Sequence, residues 1–518
     1  MALPTTVAAV IAVASLLWFA ITYLFRTSVN DREPPVIEPS IPFIGHIIGM
    51  SRDGPGYLAK VSAKTNHGIF TMPMLWGRTY VVKTPTLAAQ VERTSTTMSF
   101  GELVLQVAPR LVGLKPETRE ILKDQKAVDE GRDRMGEAVL HGVIEPLLSI
   151  KSMSIIGHTQ LRNFAEHINN IKDGFETDLY EYINSVTTLA TMNTFYGPNN
   201  PFAVRPELVD HFWNWENGLI LYMMEIFPQW TSRKAYIAME EMTKGFSDYI
   251  EAGRMSEGYE LVRRRHQAHV DEGICLRDRA RLEVGMCLAF NVNAAITMFW
   301  VLDNIFSRPE LHAEVQEEIR KNALVGESTL SCPALRESCP LLNSVYKETM
   351  RLTSPLNSAR YVKSDTVIAD TYVVRADTIV QVSGVLLHAD EGIWGPDAAE
   401  FNPRRFIHTP NGTKTSPDGS TNHSRANQIP SVAFRGFGGG GSLCPGRHFA
   451  QMEILALVSS FILGFDIEAP KGQTGGIKWN PPSNKKEFTL TSHKPLKPVN
   501  VRFQRKKGFE DAVWKFEF

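Results

Sequence analysis

The stretch Phe434-Arg435-Gly436-Phe437-Gly438-Gly439-Gly440-Gly441-Ser442-Leu443-Cys444-Pro445-Gly446-Arg447 decides the reading of this chain. Four consecutive glycines precede one cysteine, and a helical run, Gly446 to Leu463, follows it. Glycine admits positive φ and close backbone approach. Backbone N–H groups in such a loop can converge on one anionic atom. A thiolate at a helix N-terminus is favoured by the same dipole, which predicts a lowered thiol pKa at Cys444. A plainer reading also stands for the glycine run alone: a flexible loop beside a buried free cysteine.

Two patterns lie upstream. Lys347-Glu348-Thr349-Met350-Arg351-Leu352 sets a carboxylate and a guanidinium on one helix face. Alone, such a pair is usually a solvated surface contact. Phe401-Asn402-Pro403-Arg404-Arg405-Phe406 adds a second guanidinium. A guanidinium fork pairs a carboxylate bidentately, so Glu348, Arg351 and Arg405 can lock into one network.

The three motifs, in this order, resemble the cytochrome P450 family. The spacing Phe437-x-x-Gly440-x-x-x-Cys444-x-Gly446 is similar to its haem-binding loop. The resemblance implies the P450 fold, mainly α with a smaller β part. It implies haem b (iron protoporphyrin IX), with Cys444 as the axial ligand of the iron and Phe437, Gly438, Gly440 and Gly446 around it. A thiolate in that position pushes electron density toward the oxygen ligand. Glu348, Arg351 and Arg405 become a structural network that supports the pocket. Arg360 takes the usual place of a haem-propionate partner, the alternative being a surface arginine. His388-x-Asp390 followed by Trp394 resembles another structural segment of the family. The chain departs from the pattern at Ser442, where many members carry a basic residue. The tryptophan and arginine that many members place after residue 115 are also missing.

Residues 281–306 read as a long apolar helix. In the family, the helix over the haem carries an acid and an alcohol in adjacent positions. Here those positions are Val292 and Asn293. Asn293, with Phe299-Trp300 further on, resembles the subgroup of sterol 7α- and 12α-hydroxylases and prostacyclin synthase. Asn293 still offers donors and an acceptor, and Thr297 one turn later offers a hydroxyl. Both are candidate catalytic residues. The alternative for Asn293 is an amide bonded to a backbone carbonyl.

Residues 1–25 contain no charged side chain, and the run from Val7 to Phe25 is almost wholly apolar. About 20 such residues span a bilayer as a helix. Arg26 and Arg32 follow the run, which by the positive-inside rule leaves the rest of the chain cytosolic. The sequence thus predicts an anchor at 1–26, a proline-rich elbow at 27–48 and one catalytic unit at 49–518. Across all 518 residues, 55 basic side chains balance 56 acidic ones, which argues against a nucleic-acid partner. Five cysteines without a CxxC pair make neither a disulfide scaffold nor a structural zinc site.

These features predict a single-pass protein of the endoplasmic reticulum membrane. The expected activity is that of a haem-thiolate monooxygenase, taking O2 and electrons from NADPH-cytochrome P450 reductase. An apolar small molecule, steroid- or terpenoid-like, would be the substrate. The loop form resembles filamentous-fungal members that tailor secondary metabolites. An alternative is a redox-neutral isomerase acting on a peroxide, and a third reading is a haem-binding sensor or carrier. The substrate pocket is expected among a loop around Phe100–Val107, a helix at Asn217–Phe227 and the turn after Arg351. Arg435, Arg447 and His448 offer positive charge to an acidic reductase surface.

Overall fold

The computed structural model describes residues 31–39, 41, 44–74, 77–407, 414–415, 421–422, 429–485 and 490–518. The expected anchor, and the first residues of the elbow, lie outside them. The elements that position the site are, in chain order, β1 (Ile69–Pro73), β2 (Arg78–Val82), α1 (Pro85–Arg93), β3 (Met98–Ser99), α2 (Phe100–Val112), α3 (Ile150–Asn169), β4 (Phe175–Asp178), α4 (Leu179–Tyr196), α5 (Leu208–Asn217), α6 (Arg233–Glu251), α7 (Leu276–Phe306), α8 (Pro340–Thr353), β5 (Ser358–Val362), β6 (Thr378–Val382), α9 (Arg447–Gly464), β7 (Phe465–Glu468) and β8 (Asn500–Arg505). The body is mainly helical, with a smaller sheet part.

One sheet runs in the order β1-β2-β6-β5-β3. Its strands pair antiparallel except β2 with β6, which bring Tyr80 opposite Val380 in parallel register. Alternate residues of β5 and β6 are buried, as a half-covered strand requires. A smaller antiparallel sheet runs β7-β8-β4. The elbow is not a free linker. Ile37 N–H donates to Thr71 O at 2.9 Å, and Thr71 N–H donates to Pro35 O at 2.8 Å, so this proline stretch lies along β1. Its prolines suit the edge of a sheet, where a missing N–H costs no ladder bond. A helix, Gly45–Asp53, begins inside the elbow's expected limit at 48.

The helix α7 threads the body. Its 31 residues rise about 1.5 Å each, so it spans roughly 46 Å. It packs against α4, α6, α8, α9 and α2, and such a helix is apolar on most of its circumference. Among the described residues α7 alone is long and apolar enough to cross a membrane, yet 67% of that window is buried inside the protein. It is a core helix. The helix α9 is buried from Ile454 to Gly464 and starts directly after Cys444-Pro445-Gly446.

The segment expected as a loop at Phe100–Val107 is instead the helix α2. Ser99 caps it, with Oγ accepting from Glu102 N–H at 3.1 Å, and Gly113 at φ 66° ends it.

Candidate active site

The glycine loop is held shape by shape. Cys444 N–H donates to Phe437 O at 3.0 Å, and Gly438 N–H to Arg435 O at 3.0 Å. Gly438 and Gly440 have φ of 75° and 56°, a region costly for residues with a Cβ. The loop amides of Gly438, Ser442 and Leu443 are engaged in turns within the loop. The backbone of Gly446 is the one that bonds the Cys444 thiol. Burial pushes that thiol up, against the opposing pull of the Gly446 amide and Arg447. The lowered pKa expected from the helix terminus is therefore not what the protein alone provides. Desolvation of Sγ outweighs one amide and one cation.

Behind the loop, Glu348 Oε2 accepts from Arg351 Nε at 2.7 Å and Glu348 Oε1 from Arg351 Nη2 at 2.8 Å. Arg405 Nε donates to Glu348 Oε1 at 2.9 Å. All three side chains are buried. The remaining Arg351 N–H groups cap the carbonyls of His388 and Ala398, both at 2.7 Å. His388 then ties this cluster to the loop. Its Nδ1 donates to Arg351 O at 2.7 Å, and its Nε2 accepts from Arg435 N–H at 2.7 Å. A carbonyl only accepts and an amide N–H only donates, so the ring is neutral with its proton on Nδ1.

A cavity of about 280 Å³ separates Cys444 and Phe437 from Ala289, Phe290, Asn293 and Thr297 of α7. Gly438 and Gly446 also line it, whereas Gly440 does not and packs beside Glu92 of α1 instead. Thr297 is buried, and its hydroxyl donates to Asn293 O at 2.7 Å. Among the described residues the Asn293 amide bonds no backbone carbonyl. Its Oδ1 accepts from Ser492 N–H at 2.9 Å and from Ser492 Oγ at 3.0 Å. A second cavity, about 530 Å³ and mainly apolar, shares Phe100, Leu356 and Asn357 with the first. The face of α2 with Phe100, Leu103, Val104, Val107, Ala108 and Leu111 forms one wall. The turn after Arg351 contributes Pro355 and Leu356, while the segment 217–227 contributes to neither cavity.

The profile described as "Cytochrome P450" matches residues 285–495, which hold most of α7, the Glu348–Arg351 helix and the cysteine loop. Over that stretch the chain is similar to the cytochrome P450 family. It is 27% identical over 503 residues to "Cytochrome P450 monooxygenase nodJ" of Hypoxylon pulicicidum, covering 95% of this chain and 93% of that protein. A "Cytochrome P450 monooxygenase" of Gibberella zeae is 26% identical over 517 residues, covering 97% and 95%. "Lanosterol 14-alpha demethylase" of Eremothecium gossypii is 28% identical over 249 residues, 46% of this chain and 44% of that one. The first two of these relatives are named monooxygenases, which are oxidoreductases.

Haem is the cofactor of that family, and the residues of this chain fit it. The cavity beside Cys444 is walled by apolar and aromatic groups such as Ala289, Phe290, Phe437 and Phe449, as a flat macrocycle needs. Two buried guanidiniums, Arg360 and Arg435, stand behind the loop near the carboxylate of Glu92. Arg435 Nε and Nη2 have no hydrogen-bond partner among the described residues. This surplus of buried positive charge suits a carboxylate-bearing group. Arg360 is not a surface arginine: it is 3% exposed and donates to Ser442 Oγ at 3.0 Å and Gly439 O at 3.1 Å. Ser442, which lines the cavity where other members have a basic residue, thus has an arginine directly behind it. Arg435 is also not a docking charge for a reductase. It is fully buried and paired with Glu92. Arg447 and His448 are partly exposed.

Proposed function

We propose that this chain is a membrane-anchored haem-thiolate monooxygenase that oxidises an apolar, steroid- or terpenoid-like molecule, with haem b held by Cys444. The observation that carries this reading is the single cavity with Cys444 on one face and Asn293 of α7 on the other. When bound, haem iron with a thiolate ligand supplies the activation of dioxygen. Two electrons come from NADPH through the reductase. One oxygen atom enters the substrate and the other leaves as water, with two protons taken up. The Gly446 amide bonds Sγ, and the cluster of Glu348, Arg351 and Arg405 fixes the loop from behind. The 530 Å³ apolar cavity receives the substrate, desolvates it and leads it to the reacting face.

The proposed organisation is an anchor at 1–26, an elbow at 27–48 whose residues 35–37 lie along β1, and a catalytic unit at 49–518, placed on the cytosolic face of the endoplasmic reticulum. The similarity to fungal proteins supports a role in secondary metabolite biosynthesis. A peroxide isomerase is the second reading. Val292 is buried, and Asn293 has its acceptor occupied, so neither residue passes protons. Turnover with and without NADPH and reductase separates the two. Oxygen insertion that requires both supports the monooxygenase. Rearrangement of a peroxide without electrons supports the isomerase. Optical substrate-binding spectra against a lipid and terpenoid library identify the substrate class.

A further inference from the structure

Residues 490–494 come from the far end of the chain, yet they are tethered tightly beside α7. Lys494 pairs with Glu216 of α5, and Thr491 Oγ1 donates to Glu216 Oε1 at 3.1 Å. His493 N–H donates to Thr353 O at 2.7 Å, and Trp300 Nε1 donates to His493 O at 2.7 Å. These bonds wedge Ser492 between α7 and the turn after α8.

The two bonds from Ser492 to Asn293 fix which way the amide points. A backbone N–H only donates, so the Asn293 atom facing it is the oxygen and not the nitrogen. The Ser492 hydroxyl proton also goes to Oδ1. Ser492 Oγ is thereby left to accept from Ser354 Oγ, 2.5 Å away. Both serines are 1% exposed and line the same cavity as Asn293. Asn293 Nδ2 has no partner among the described residues, while the residue as a whole is exposed to the cavity that Cys444 faces. The Thr297 hydroxyl does not compete, because it donates to the Asn293 backbone carbonyl.

We infer that Ser492, backed by Ser354, is a positioning residue that holds Asn293 so that its amide presents fixed N–H donors, and no acceptor, to a ligand oxygen atom over Cys444. This inference rests on the haem-thiolate reading of the site. It sets the chemistry of what the reacting face receives: an oxygen acceptor, whether of a diatomic ligand, a peroxide, a carbonyl or an ether. It also explains why a residue unable to relay protons occupies this position. Its contribution is a preorganised dipole, and a dipole needs a rigid mount.

The test is the infrared C–O stretch of the ferrous carbon monoxide adduct of the full-length protein, in which carbon monoxide is the oxygen acceptor. A donor at that oxygen lowers the stretch by strengthening back-donation from iron. Asn293→Leu should move the band to higher wavenumber. Ser492→Ala should broaden or split it, with the new component at higher wavenumber, because the amide has lost one of its two holders. Ser492→Thr should restore the wild-type band, and Ser354→Ala should give a smaller change of the same sign as Ser492→Ala. A band unmoved in Asn293→Leu would overturn the donor role. A band moved there but unaltered in Ser492→Ala would overturn the positioning role. The visible spectrum of the same samples keeps the two readings apart, since a wild-type adduct without thiolate character sinks the haem-thiolate assignment itself.

Discussion

A methyl group on Gly439 would overlap the Glu92 carboxylate and the Arg435 guanidinium, whereas one on Gly441 would meet open space. The four glycines are identical in sequence and unequal in consequence. Gly438 and Gly440 are required by positive φ, Gly439 by close approach, and Gly441 by neither. Gly441→Ala should leave haem content unchanged and stability within about 0.5 kcal/mol. Gly439→Ala should cost about 1–3 kcal/mol and lower haem content, because the buried ion pair must move. Thermal unfolding and the haem-to-protein absorbance ratio check both. The identity and spacing of the cysteine loop were legible in the sequence. The division of labour among its glycines was not, because it is set by Glu92, more than three hundred residues upstream of it. The burial of Arg435 was illegible for the same reason.

At the level of elements, the helix α8 carries a buried charge cluster. Glu348 is the carboxylate that both Arg351 and Arg405 share. Glu348→Gln leaves two buried cations without it and should cost about 3–5 kcal/mol. Loss of soluble holoprotein, or a lowered unfolding midpoint, checks this. His388 adds a pH dependence. Burial holds its imidazole neutral, with the pKa lowered from 6.5 to about 3. Below the ordinary value the unfolded chain binds a proton that the folded chain refuses, so stability falls as pH drops from 6.5 toward 3. Between about pH 7 and about pH 5 the loss from this one group is about 2 kcal/mol. Urea unfolding of the wild type should therefore weaken over that interval more steeply than that of His388→Gln, and equal slopes would count against it. The network around Glu348 was legible because an i,i+3 pair and a downstream arginine carry it. Helix α2 was not recognised, although its apolar residues at 100, 103, 104, 107, 108 and 111 have helical spacing and now form a cavity wall. The Ser492–Asn293 contact spans 199 positions and leaves no local pattern at all.

Across the whole molecule, the long apolar α7 and the helix after the cysteine are readable from periodicity and composition. The prolines of the elbow mark a stiff segment, and its pairing with β1 comes from tertiary packing that no local pattern carries. Ile37 is buried in the core on that side, and Glu33 accepts from Tyr80 Oη at 2.9 Å. Removing residues 1–26 should therefore release the protein from membranes while leaving the catalytic unit folded. Removing residues 1–48 should destabilise it as well. Membrane fractionation and haem content together check the pair. The central claim is that Cys444 supplies the thiolate to haem iron. The most direct measurement is the absorption spectrum of the ferrous carbon monoxide complex of the full-length wild type beside Cys444→Ser. A thiolate-type band in the wild type that is lost in the variant is the result predicted. A thiolate-type band that persists in Cys444→Ser would contradict it.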